Sequence, residues 1–105
     1  MSRVAGRKQS MPLSRFKTGQ VVATPGALRM LKQASVEPMT LLARHAIGDW
    51  GELGQDDHDA NESAIRLGGW VFSSYEVGIG KGAANVWVIT EADRYSTCLL
   101  LPEEY

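Results

Sequence analysis

The stretch WVFSSYEVGIGKGAANVWVITEADRYSTCLLL, residues 70–101, decides the fold. It contains three runs rich in β-branched and aromatic residues, at 70–77, 85–90 and 96–101, which are separated by GIGKG and EADR. Such runs, bounded by glycines and by polar turn residues, are typical of strands joined by short loops. We therefore expect a meander of three antiparallel strands in the last third of the chain.

Helix signals precede these strands. Thr24 is a suitable N-cap for a helix whose first residue is Pro25, and Pro38 occupies the same position in a second helix. The segment 55–69 predicts a third helix that ends at two glycines. The inner face of the second helix is expected to consist of Met39, Leu42, Ala43 and Ala46. This order of elements predicts an α+β fold, in which two to three short helices pack on one face of a three-stranded antiparallel sheet.

The length and composition indicate one globular domain. The chain has 105 residues, of which 44% are hydrophobic and 22% are charged, in keeping with roughly 100–200 residues per domain. No apolar run reaches the roughly 18 residues that a membrane-spanning helix needs, so we do not expect a membrane protein. Cys98 is the only cysteine and cannot form an intramolecular disulfide, which favours a cytoplasmic location.

The charges are unevenly distributed along the chain. Residues 1–17 carry five basic and no acidic residues, whereas residues 18–105 carry a net charge of −6. We expect a disordered basic arm at 1–17 and a single α+β domain at 18–105. Two uses of the arm stay open, a solvated tail or contact with nucleic acid or with an acidic partner surface. The basic residues concerned are Arg3, Arg7, Lys8, Arg15 and Lys17.

The segment RHAIGDWG, residues 44–51, is the first cluster that could carry chemistry. His45 ends the second predicted helix and Asp49 follows it, so one hypothesis is an acid–base pair of imidazole and carboxylate. The alternative is structural. In that case Arg44 and His45 interact with the negative end of the helix, Asp49 shapes a turn, and Trp50 anchors the loop in the core.

The loop EADR, between the last two predicted strands, is the second cluster. Asp93 suits the turn itself, because an aspartate side chain accepts backbone hydrogen bonds. Glu91 and Arg94 are not needed for that turn, so they are candidates for contacting a ligand or a partner's charges. The hypothetical pocket combines His45, Asp49, Glu91, Asp93 and Arg94, and the other candidates for binding are Arg44, Trp50, Asn61, Tyr75 and Thr90.

Sequence motifs of known enzyme classes are missing from the chain. It contains no GxSxG, HExxH or Walker sequence, so we expect no cofactor and favour a protein that is not an enzyme. The run DDHD, at 56–59, has the residue types of a metal site. Neighbouring residues of a helix point in different directions, however, so we expect these side chains to serve in helix capping rather than to bind a metal.

Apolar residues occupy both faces of the predicted strands. Trp70 and Phe72 alternate with Val71, Tyr75 and Val77 in the first of them. In so small a chain this pattern indicates a surface for a protein partner, either another protein or a second copy in a homodimer.

Four segments resemble, in order, a group of small uncharacterised bacterial proteins met on plasmids and integrative elements: RHAIGDWG, NESAIRLGG, VFSSYEV and WVITEADRYSTCLLLPEEY. The pattern of that group is a helix start like Thr24-Pro25, RHxxGDWG, a Ser-Ser-Tyr strand and a terminal ITEADRxxTxxLLPxEY. It covers residues 18–105. The resemblance implies a mobile-element accessory protein of the bacterial cytoplasm and brings no established activity with it.

Three functions stay open at this point. The preferred one is the binding of a host or element-encoded protein through the sheet face and the EADR loop. The second is a small enzyme or ligand-binding protein, hydrolase-like or nuclease-like, that uses the His, Asp, Glu and Arg residues of the hypothetical pocket. The third is association with nucleic acid through the basic arm.

Overall fold

The computed structural model describes residues 14–105, which form three helices and a four-stranded mixed sheet. Two single-turn 3₁₀ helices, Gly80–Gly82 and Pro102–Glu104, follow the second and the last strand. In chain order the elements are β1 (Gln20–Ala23), α1 (Pro25–Gln33), α2 (Pro38–Ala46), α3 (Gln55–Leu67), β2 (Val71–Val77), β3 (Ala84–Thr90) and β4 (Ser96–Leu100). The α+β class predicted from the sequence is confirmed.

The sheet has the strand order β1-β4-β3-β2. The pairs β2–β3 and β3–β4 are antiparallel, as expected for the meander. The expected three strands are nevertheless one too few, because β1 pairs with β4 in parallel, with Gln20 opposite Ser96. A parallel pair needs a long crossover connection. Here all three helices and two strands separate the partners, so no local pattern in the sequence could indicate this pairing.

Both predicted helix starts are confirmed. The Thr24 hydroxyl accepts a hydrogen bond from the Ala27 N–H at 3.0 Å, and Pro25 and Pro38 lie at the starts of α1 and α2. The predicted inner face of α2 is wrong at Met39, which is 57% exposed. The buried residues of α2 are Leu41, Leu42, His45 and Ala46. The helix is therefore rotated so that His45, and not Met39, faces the sheet.

The helices cover one face of the sheet. The main core cluster joins Ala27, Leu31 and Leu41 of the helices to sheet residues such as Tyr75 and Val88. A smaller cluster joins Trp50 to Ala64 and Val71. Because side chains alternate along a strand, Phe72, Trp87 and Ile89 point to the opposite side. We call that side the open face.

The segment predicted as a basic arm lies partly outside the described residues, and this holds for Arg3, Arg7 and Lys8. Within the described part, Lys17 is exposed, whereas Arg15 and Phe16 contact the domain. The Arg15 N–H donates to the Ala46 carbonyl at 2.8 Å, and the Phe16 ring lies 5.2 Å from the His45 ring between centroids. The contacts of the domain therefore extend to Arg15, before residue 18.

The helices of residues 14–105 lack the length and apolar character that a membrane crossing requires.

Candidate functional site

His45 lies at the centre of a buried hydrogen-bonded chain. Its side chain has no exposed surface, its Nδ1 lies 2.6 Å from the Ser73 hydroxyl, and its Nε2 lies 2.9 Å from the Thr90 hydroxyl. The Thr90 hydroxyl is 2.6 Å from that of Thr97, which donates to the Thr18 carbonyl at 2.6 Å. The chain therefore connects α2 to β2, β3 and β4 and to the segment before β1.

The Thr18 carbonyl, at the end of this chain of hydrogen bonds, determines which group donates in each bond. A carbonyl only accepts, so Thr97 gives its single proton to Thr18, and Thr90 must donate to Thr97. Thr90 has then no proton left for His45, so the His45 Nε2–H donates to Thr90. The Nδ1 atom of His45 is consequently unprotonated and accepts from the Ser73 hydroxyl.

The environment of His45 keeps the imidazole neutral. Burial lowers its pKa from 6.5 to about 3. A general base must exchange protons with a bound substrate, whereas both ring nitrogens of His45 are occupied by hydroxyl groups of the core. In this structure His45 and Thr90 therefore hold parts of the core together, whereas the sequence had suggested them as residues of a functional site.

Asp49 pairs with Arg44 and not with His45. The Arg44 Nε donates to the Asp49 carboxylate at 2.7 Å, and this ion pair lowers the pKa of Asp49. The Arg44 guanidinium also lies 4.4 Å from the centre of the Tyr75 ring, and the buried Tyr75 hydroxyl donates to the Asp49 carbonyl at 2.5 Å. These three residues fix the loop after α2 against β2.

Trp50 continues that loop into the core. It is only 3% exposed, and its ring lies edge-on to His45 at 5.9 Å between centroids. The anchoring role considered for Trp50 in the sequence matches this position.

Arg94 attaches the EADR loop to α3, whereas Glu91 and Asp93 are exposed. Arg94 donates to the carbonyls of Ala64 at 2.9 Å and of Gly69 at 2.6 Å, at the end of α3. Asp93 accepts from the Tyr95 N–H at 2.9 Å, which is the turn-forming contact expected of it. The Glu91 side chain is exposed and has no hydrogen-bond partner among residues 14–105. Arg94 thus attaches the β3–β4 turn to a helix end, where a positive charge is favourable.

Asn61 protects the outer edge of β2. Its side-chain amide donates to the Phe72 carbonyl at 2.6 Å, and its oxygen accepts from the Phe72 N–H at 2.9 Å. Further along the same edge, Ser74 pairs through both backbone groups with Trp50 and Glu52. Asn61 is thereby occupied in the fold, and the β2 edge is closed to another strand.

Glu91 and Asp93 of the hypothetical pocket are exposed on the β3–β4 turn, and its other residues belong to three separate arrangements. They are the His45–Thr90 chain, the Arg44–Asp49–Tyr75 cluster and the Arg94 contact with α3. Among residues 14–105, no group of three or more His, Cys, Asp and Glu side chains is placed to hold a metal ion.

An aromatic groove on the open face is the most distinct surface feature. Its volume is about 240 Å³, and it is lined by Trp70, Phe72, Trp87, Ile89 and Tyr105. Trp70 is 52% exposed and Tyr105 69% exposed. We call these five residues the aromatic groove. The sequence indicated part of it through the apolar residues on both strand faces, but Trp87, Ile89 and Tyr105 were not among the candidates.

Tyr105 is brought to the groove by Glu104. The Glu104 carboxylate accepts from the Thr24 hydroxyl at 2.6 Å and from the Leu101 N–H at 2.7 Å. Gly26 allows this approach, because a Cβ there would crowd the Glu104 carboxylate. The 3₁₀ turn before Tyr105 is therefore attached to the N-terminus of α1, where a carboxylate is favourable.

A second groove has a different character. It lies between the end of α1 and the β2–β3 loop, and its volume is about 420 Å³. Its lining includes Met30, Gln33, Ile79 and loop glycines, with no aromatic ring.

Comparisons of the chain with models of known families, with curated proteins and with solved structures found no match.

Proposed function

We propose that the protein is a non-enzymatic accessory protein that binds another protein through the open face of its sheet. The aromatic groove is the observation that carries this proposal. Aromatic residues are enriched at the centres of protein interfaces, where they contribute large contact areas. Trp70 and Tyr105 are exposed by 52% and 69%, so much of this surface is available for contact.

The positions of the polar candidates support the same function. His45 is neutral and enclosed, Arg94 is bound to backbone carbonyls, and Asn61 is bound to β2. An enzyme needs a nucleophile, acid or base within reach of a bound substrate. These residues instead hold the covered face of the sheet, its β2 edge and the β3–β4 turn in place, which supports a rigid binding surface on the open face.

Of the two surfaces that the sheet could offer to a partner, the open face and the outer edge of β2, the open face is the accessible one. The outer edge of β2 is occupied by Asn61, Trp50 and Glu52, so addition of a partner strand there is blocked. Contact through side chains on the open face is not blocked. That the partner comes from a bacterial host or from a plasmid or integrative element rests on the resemblance of the sequence motifs, and it is part of this proposal.

Site-specific photo-crosslinking in bacterial cells tests the proposal. p-Benzoylphenylalanine placed at Trp70 is expected to give a discrete covalent adduct with another protein. The same residue at Tyr95, which is 75% exposed but does not line the groove, is the matched control and is expected to give none. The adduct at position 70 should disappear when Trp87→Glu is added, while the circular dichroism of that variant stays unchanged.

Two outcomes would contradict the proposal. One is equal crosslinking at positions 70 and 95, which would show that the open face has no selectivity. The other is an adduct of twice the 11.5 kDa chain mass, matched by a dimer in light scattering. That result would identify a second copy as the occupant in place of another protein.

A further inference from the structure

We infer that the aromatic groove binds an arginine side chain from a basic segment of the partner protein. This inference rests on the proposed function and adds the chemistry of the contact. It draws on the arrangement of the rings, on the apolar lining and on the charges around the open face.

The rings of the groove form walls that meet at steep angles. In the series Trp70, Tyr105, Trp87 and Phe72, consecutive rings are turned by 77°, 66° and 85°. Their centroids are 6.3, 5.7 and 5.0 Å apart. All four rings line the groove, and a cation over the face of a ring, within about 6 Å of its centre, is attracted by the ring quadrupole.

The size of the groove suits one side chain. Its volume of about 240 Å³ is below the roughly 300–1,000 Å³ that is usual for sites of drug-sized ligands and cofactors. The fifth lining residue, Ile89, is aliphatic and only 7% exposed. As a buried aliphatic residue of the lining, it suits contact with the methylene groups of a long side chain.

The surroundings of the groove are acidic. Residues 18–105 carry a net charge of −6. Glu103 and Glu104 directly precede Tyr105, and Glu91 follows β3, which contributes Trp87 and Ile89. The pKa of Cys98, which pairs with Ile89 on the open face, is raised by burial and then by the charges of Glu104 and Glu91. Glu104 and Glu91 thus place negative charge near the open face, which is complementary to a basic segment.

Arginine fits this lining better than lysine. An ammonium group is strongly hydrated and loses that water on burial, whereas the guanidinium is planar, weakly hydrated and stacks on aromatic faces. The groove has no carboxylate of its own among its five lining residues, which would be needed to replace the water of an ammonium group.

Titration of the full chain with three peptides tests the inference. The probes are acetyl-Leu-Ala-Xaa-Ala-Leu-amide with arginine, its neutral analogue citrulline, or norleucine at Xaa. Tryptophan fluorescence and the indole N–H signals of Trp70 and Trp87 report binding. The arginine peptide is expected to bind about tenfold more tightly than the citrulline peptide, the preference that desolvated cation–π contacts produce.

Two variants locate the effect. Trp87→Leu keeps an apolar wall but removes a ring face, so this variant should bind the arginine and citrulline peptides about equally tightly. Tyr95→Leu removes an exposed ring outside the groove and should leave the preference at about tenfold. A preference that survives Trp87→Leu would overturn the inference.

Other outcomes separate the inference from the proposed function. If the norleucine peptide binds as tightly as the arginine peptide, the groove takes an apolar side chain, and the inference fails while the open face stays a docking surface. If no peptide shifts the Trp70 and Trp87 signals at millimolar concentration, the inference fails, and the crosslinking at position 70 decides the proposed function alone.

The chain's own basic arm is the competing occupant. The combined variant Arg3→Ala, Arg7→Ala, Lys8→Ala is expected to bind the arginine peptide as the unchanged protein does. Tenfold tighter binding by this variant would show that the arm occupies the groove, and it would overturn the assignment to a partner.

Discussion

The His45 Nε2–H donates to the Thr90 hydroxyl at 2.9 Å, although these residues are 45 positions apart in the chain. This bond joins α2 to the buried face of β3. The opposite face of the same strand carries Trp87. A buried polar chain of this kind stabilises the fold only while each member has its partner. The protonation state of His45 therefore controls the stability of the sheet.

Stability should fall as the pH is lowered from 7 to 5. The unfolded chain protonates His45 near its ordinary pKa of 6.5, but the folded chain does so only near 3, because burial disfavours the charge. The unfolded state then binds more protons in this window, so the stabilisation is full above pH 6.5 and is lost toward pH 3. The expected loss between pH 6.5 and pH 5 is about 2 kcal/mol, measured by urea denaturation.

Two histidine variants serve as controls. His58→Gln alters an exposed residue of α3 and should keep the pH dependence, whereas His45→Gln should remove most of it. Glu62, whose pKa is lowered to about 2 by Arg15, titrates below pH 4.5 and so contributes little in this window. A stability that is flat from pH 7 to 5 in the unchanged protein would contradict the neutral, enclosed state of His45.

Arg94→Ala should destabilise the fold by about 2–3 kcal/mol, since hydrogen bonds to a charged group contribute roughly 1.5–3 kcal/mol. The carbonyls of Ala64 and Gly69 lose their donor, and the β3–β4 turn loses its attachment to α3. Chemical denaturation measures the change. Glu91→Ala, in the same loop, has no side-chain hydrogen bond to lose among residues 14–105 and should stay within about 0.5 kcal/mol of the unchanged protein. Equal effects of the two variants would refute this role of Arg94.

Asn61→Asp should destabilise the protein by about 2–4 kcal/mol, because it leaves a buried carbonyl without a donor and sets a carboxylate against it. The aspartate still accepts from the Phe72 N–H but cannot donate to the Phe72 carbonyl. Asp59→Asn, the reverse exchange at an exposed position of α3, should change stability by less than about 0.5 kcal/mol. Asn61→Ala removes the acceptor of the Phe72 N–H, so hydrogen exchange at Phe72 should be faster in that variant, and unchanged protection there would exclude the edge contact.

The sequence was informative where the structure is determined locally. Thr24, Pro25 and Pro38 signal helix starts through capping and backbone geometry, and the structure contains both helices. The runs of β-branched and aromatic residues between turn residues placed β2, β3 and β4 to within one residue at every end. The pairing of β1 with β4 was not predictable in this way, since nothing near Gln20 specifies Ser96 as its neighbour.

The candidate site residues divide in the same way: contacts between neighbours in the sequence were predicted, and contacts between distant residues were not. The turn-forming role of Asp93 depends on adjacent residues and was foreseen. For His45 the sequence left an acid–base role and a helix-end role open, and neither included its burial, although Leu41 and Leu42, four and three positions before it, could have indicated burial. Arg94 and Asn61 bind backbone groups 25 and 11 positions away, contacts that only the assembled fold reveals. Tyr105 is brought to the groove by the contact between Glu104 and Thr24, which are 80 positions apart.

Glu104 should control the position of Tyr105. Its carboxylate is the shared acceptor of the Thr24 hydroxyl and the Leu101 N–H, so Glu104→Ala releases the last turn of the chain from α1. We expect the nuclear Overhauser contacts between the Tyr105 and Trp87 rings, whose centroids are 5.7 Å apart, to disappear in this variant. The affinity for the arginine peptide should fall several-fold, because one wall of the groove is lost.

The neighbouring residue provides the control for this effect. Glu103→Ala removes the same charge from an exposed position that has no hydrogen bond within residues 14–105, so the Tyr105–Trp87 contacts should persist. If the affinity falls equally in both variants, the acidic charge near the groove matters and the position of Tyr105 does not. If the ring contacts survive in Glu104→Ala, Tyr105 is held by its aromatic neighbours alone, and the attachment to α1 is not what forms the groove.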